Sequence, residues 1–98
     1  MADNPLQRIA ADKGSDLYSG AATFSVAAST LKPDTKAIIV REDQAAMVTT
    51  LTLNINGTAT TSGLNLVGKD LKAGDMFTFA YPIASITIAG GSFIGYRG

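Results

Sequence analysis

The chain has 98 residues, eight basic and eight acidic side chains, and no Cys, His or Trp. Without Cys there is no disulfide, thiolate metal site, iron–sulfur cluster or Cys nucleophile; without His there is no Ser–His dyad, no His-ligated zinc or haem, and no side chain whose ordinary pKa suits a general base near neutrality. Zero net charge with 16% charged residues argues against nucleic-acid binding, and the length suits one domain.

Residues 1–21 are polar with Ala and Gly, and are expected to form an N-terminal arm. Asn4-Pro5-Leu6-Gln7 carries a helix-start pattern: Asn4 caps, Pro5 suits the first helical position and Gln7 stands at the capping-box position. A short helix over 5–12 would place Leu6 and Ile9 on one face, with Gly14 as its stop. Two turns are marginal in water, so this arm is either a helix docked on something or an extended segment. Met1 to Gln7 has no basic stretch leading into an apolar one, so no signal peptide is expected, and no apolar run is long enough to cross a membrane.

From Ala22 the apolar period becomes two. Phe24 and Val26 alternate with Thr23 and Ser25, predicting a strand over 22–29. Lys32-Pro33-Asp34-Thr35 reads as a turn, and Ala37-Ile38-Ile39-Val40 as a strand buried on both faces. Arg41-Glu42-Asp43-Gln44 breaks it with charge. Over 47–55, Met47, Leu51, Leu53 and Ile55 occupy odd positions against mostly polar even ones, predicting a half-buried strand. Asn56-Gly57 marks a tight hairpin turn, because both residues tolerate positive φ, and Thr58 to Thr61 return as a polar, exposed strand.

Lys72-Ala73-Gly74-Asp75 is another turn. Met76 to Tyr81 follows as a short or edge strand, aromatic on one face and stopped by Pro82. Ala84, Ile86 and Ile88 alternate with Ser85 and Thr87, and Gly90-Gly91 is predicted to close a hairpin into Ser92–Arg97. The composition agrees, with eleven Thr and eight Ile against a single Glu, Glu42. The expected fold is all-β: a small β-sandwich or barrel of about seven short antiparallel strands over 22–98, preceded by the arm. Fifteen of the apolar residues are Ala, so large apolar side chains are few and association with other chains is expected to supply part of the stability.

Motifs with chemical meaning are weak. Gly63 to Lys69 matches the spacing of a phosphate-binding loop, but Asp70 stands where Ser or Thr would hold magnesium, and its carboxylate would repel phosphate. Asn56-Gly57-Thr58 satisfies a glycosylation sequon and is also the best hairpin turn in the chain. Asp70 and Asp75 are a minimal calcium pair; like Asp34 and Asp43 they sit at turn signals, where Asp bonds backbone amides. No base of suitable pKa accompanies any Ser, Thr or Lys, so no enzyme, cofactor or metal is expected. Tyr18, Tyr81 and Tyr96 are the rings available to a sugar or protein partner, although a strand Tyr more often buries its ring.

Four segments together resemble a known group: Ile38-Ile39-Val40-Arg41-Glu42-Asp43; Leu51-Thr52-Leu53; Gly68-Lys69-Asp70-Leu71-Lys72-Ala73-Gly74-Asp75; and Ala84 to Arg97, with the chain ending almost at once. Their order is similar to that of small all-β virion proteins that tailed bacteriophages encode near their capsid genes. The resemblance spans residues 22–97 and rests on turn grammar and apolar alternation. It implies a non-enzymatic structural protein that decorates or cements a capsid. It also implies synthesis in the host cytoplasm, residence on the virion surface, and a major capsid protein or other virion proteins as partners. A homo-oligomer is expected, with no nucleic acid and no membrane involved. Leu6, Ile9, Tyr18, Tyr81 and Tyr96 are the candidate partner-binding residues; the alternative is a fibre- or tail-associated module that binds a receptor or glycan.

Overall fold

A computed structural model describes residues 15–61 and 66–97. Eight strands follow one another: β1 (Ser15–Ser19), β2 (Ala22–Ser25), β3 (Thr35–Val40), β4 (Val48–Ile55), β5 (Thr58–Thr61), β6 (Met76–Thr78), β7 (Ile83–Ile88) and β8 (Ser92–Arg97). They form two four-stranded antiparallel sheets with orders β1-β8-β3-β6 and β2-β7-β4-β5.

The all-β expectation holds, and the connections explain the layering. Apart from the β4–β5 hairpin, each connection carries the chain from one sheet to the other. A long antiparallel ribbon, β1–β2 against β7–β8, bends over at one end, and β3 and β4 run along its far side. Three passes of backbone meet at the bend, tied by Gly20 N–H to Gly91 O at 3.0 Å, Arg41 N–H to Ser92 O at 3.0 Å and Ala89 N–H to Met47 O at 2.8 Å. Eight strands in this order make a jelly roll, a sandwich rather than a barrel.

Both inner faces are built from the alternating apolar residues. Tyr18, Ile38, Val40 and Phe93 come from one sheet; Val48, Leu51, Leu53, Ile83, Ile86 and Ile88 come from the other. Leu31, Met47, Leu66 and Leu71, from connections, close the ends of this core. Tyr18 stacks on Phe93 with ring centroids 5.1 Å apart and meets Phe24 edge-on at 5.2 Å, so three rings join the two sheets.

Four expectations need correction. Ser15–Ser19 pairs residue for residue with β8 and belongs to the sandwich, not to an arm ending at residue 21. The strand expected over 22–29 ends at Ser25, where Thr30 and Leu31 N–H bond back to Ser25 O and close a turn. Gly90-Gly91 is a corner between sheets rather than a hairpin, since β7 and β8 lie in different layers. The odd-position pattern of β4 is interrupted: a register shift between Val48 and Thr50 brings Val48 into phase with Leu51, so that both are buried, while Met47 is buried from the preceding connection. The helix proposed over 5–12, with Leu6 and Ile9, lies outside the described residues.

Candidate functional site

The cross-strand register assigns every strand residue to an inner or outer face, because directly opposed residues point the same way. Tyr18, Phe93 and Val40 form one inward row of the β1-β8-β3-β6 sheet. The neighbouring row therefore points outward, and it runs Leu17–Ile94–Ile39–Met76 across all four strands. Leu17 is 51% exposed and Met76 53% exposed, with Ile39 and Ile94 half-buried between them. The next outward row is Ser15–Tyr96–Ala37–Thr78. Neither row contains a charged side chain.

The outer face of the other sheet has the opposite character. Its rows are Thr23–Thr87–Thr50 and Ser25–Ser85–Thr52–Thr61. Thr23 and Thr87 share a hydrogen bond of 2.9 Å between their hydroxyls, and Thr49 donates to Thr87 O at 3.2 Å. Such a face keeps its hydration at little cost, whereas a row of Leu, Ile and Met does not. The sandwich is two-faced: hydroxyls on one side, an apolar band on the other.

The concavities carry little chemistry. A groove of about 450 Å³ over the hydroxyl-rich sheet is lined by Ser25, Thr52, Asn54, Gly57, Ala59, Ser85 and small apolar neighbours, with no aromatic ring and no ionisable group. A smaller hollow of about 120 Å³ beside Pro33 and Pro82 has Asp34 as its single carboxylate. Asp43, Asp70 and Asp75 accept backbone N–H bonds from Ala73, Ala46 and Lys72 at 2.9, 3.2 and 2.9 Å. They are turn-fastening carboxylates, as their sequence positions suggest. Among the described residues no three metal-ligating side chains cluster. The phosphate-loop spacing falls partly outside the described residues, and its described end, Leu66–Asp70, leads into no helix.

The candidate residues separate. Tyr18 is 4% exposed, and its hydroxyl accepts the Lys32 N–H at 2.9 Å, so it is a core residue rather than a contact residue. Burial pushes its pKa up, opposed by the Lys32 amide and reinforced by the nearby Asp16 carboxylate. Tyr81 is 39% exposed, in the β6–β7 connection. Tyr96 is half-buried and lies on the outer apolar face, in the row beside Ile94 and Ile39.

Leu17, Ile39, Met76 and Ile94 were not singled out from sequence. Two of them left a signal: Ile38-Ile39 and Phe93-Ile94 are apolar neighbours inside strands, so one of each pair must face outward. Leu17 and Met76 carried none, because only the strand order brings them to the two ends of that row. Comparison of the chain with protein-family models, with curated proteins and with solved structures finds no match.

Proposed function

We propose that the chain is a non-enzymatic structural protein of a virion, which decorates or cements a bacteriophage capsid by seating the outer face of β1-β8-β3-β6 on the shell. The observation that carries this reading is the uncharged row Leu17–Ile94–Ile39–Met76, exposed at both ends and crossing the sheet. Apolar side chains held in line on a rigid sheet suit a broad protein contact better than a small-molecule site. Jelly-roll architecture is shared by many viral capsid and lectin domains, which supports the reading by analogy of fold only. Repetition over a lattice would let a modest contact act with avidity.

The test uses particles of the virus that encodes the protein, stripped of it and then titrated with purified protein. Rebinding should saturate at a fixed copy number per shell. A Leu17→Lys/Met76→Lys double variant should stay folded and lose about 100-fold or more in affinity, since each such side chain contributes ~1.5–3 kcal/mol when buried. Rebinding that does not saturate, or that the double variant leaves unchanged, would rule the proposal out.

A further inference from the structure

A sheet edge exposes a row of backbone donors and acceptors, and the strands at the edges of this sandwich differ in how those groups are managed. On β1, the Asp16 carboxylate accepts the Leu17 N–H at 2.9 Å and faces Lys32 across 3.8 Å, which puts charge on that edge. On β2, Thr30 covers the edge: its hydroxyl accepts the Ser25 N–H at 3.0 Å and its N–H bonds Ser25 O at 3.2 Å. β6 is three residues long. Among the described residues, β5 has neither a charge on its edge nor a side chain covering it. Thr58-Ala59-Thr60-Thr61 is exposed throughout, uncharged and free of Pro, and its pairing with β4 has no register shift.

The direction of its backbone groups follows from β4. Asn54 N–H points to Pro82 O on the far side, at 2.8 Å, so Asn54 does not bond its opposite residue Ala59. By antiparallel alternation, Ala59 and Thr61 turn their N–H and C=O away from β4, while Thr58 and Thr60 turn theirs toward it. Among the described residues nothing bonds these outward groups.

We infer that β5 pairs antiparallel with β5 of a second copy of this chain, about a two-fold axis at Thr60. That register is self-consistent. Ala59 and Thr61 exchange hydrogen bonds with Thr61 and Ala59 of the second copy, which makes four bonds in all, and Thr60 faces its own counterpart as the non-hydrogen-bonded pair. The two β2-β7-β4-β5 sheets become one eight-stranded sheet with a continuous hydroxyl-rich outer face. The strand itself carries no charge to oppose the approach. A four-residue strand is only ~13 Å long, so the contact falls well short of the ~800 Å² per partner of a standard interface. The pairing is weak in dilute solution and gains from lattice spacing or covalent capture.

The chain has no Cys, so a single introduced thiol reports on the pairing without background. Opposed residues of a non-hydrogen-bonded pair lie ~4.5 Å apart at Cα, within disulfide reach. In a glutathione redox buffer, Thr60→Cys should form a disulfide dimer about tenfold or more faster than Thr58→Cys, which lies on the same face of the same strand but away from the axis. Ala59→Pro removes an outward N–H that β4 does not use, and Ala59→Lys adds charge to the edge; either, combined with Thr60→Cys, should abolish that excess. Far-ultraviolet circular dichroism and thermal melting establish that each variant is folded. Equal capture at positions 58 and 60, or capture at 60 that survives both edge variants, would overturn the inference.

Discussion

Tyr18 shows how one side chain can serve the fold in three ways. Its ring joins two Phe rings, its hydroxyl receives the Lys32 amide, and its position opposite Phe93 sets which face of β1 turns inward. Burial raises its pKa, so the folded protein holds the phenol proton at pH values where the unfolded chain has begun to release it. The contribution is fully present below the ordinary Tyr pKa of about 10 and is lost as pH rises through the higher folded value. Tyr18→Phe should lower stability by about 0.5–1.5 kcal/mol at neutral pH, through the lost acceptor. It should also flatten the decline in denaturant midpoint between about pH 9 and pH 11. An alkaline decline as steep in the variant as in the parent would mean that other groups cause it.

At the scale of elements, the corner between β7 and β8 decides the topology. Gly91 has φ +79°, and a Cβ there would lie 2.5 Å from Met47 Cε. Gly20, across the same corner, has φ +86° with nothing within 4 Å of such a Cβ. Both alanine variants suffer backbone strain, but only Gly91→Ala also displaces a core side chain. Gly20→Ala should cost about 1 kcal/mol and Gly91→Ala about 2–3 kcal/mol, read as the difference in chemical denaturation midpoints. Equal losses would show that Met47 moves aside freely. The hairpin at Asn56-Gly57 was readable in advance because both residues take positive φ, 53° and 86°, as a two-residue turn requires. The Gly90-Gly91 corner was not, since the same dipeptide serves a hairpin or a sheet switch and only the partners of the flanking strands distinguish them.

For the whole molecule, the two outer faces differ in chemistry, an apolar band on one sheet and hydroxyls on the other. Lysines at Leu17 and Met76 should leave folding stability within about 1 kcal/mol of the parent, because both residues are half-exposed and lie outside the core. Lysines at Thr50 and Thr52, on the hydroxyl-rich face, should leave capsid rebinding unchanged, whereas the Leu17/Met76 pair should weaken it. If instead the Thr50/Thr52 pair abolishes rebinding, the contact lies on the other sheet. The strand order also explains why Tyr18 and Tyr96, nearly alike in local sequence character, have unlike fates. Tyr18 pairs with Phe93 and points in; Tyr96 pairs with Ser15 and Ala37 and points out.

Local physics settles the strand class, most turns and most of the core from the sequence alone. Alternation with period two, Gly and Asn at positive φ, and Asp at amide-bonding turns are all short-range effects. Two things were decided only by the tertiary structure. Pairing with β8 recruited Ser15–Ser19, a segment with little apolar periodicity of its own, and a bulge in β4 brought Val48 to face inward with Leu51. The outer apolar band depends on the first, because its members come from four strands spread over the chain, β1, β8, β3 and β6, and become neighbours only when those strands pair in one sheet.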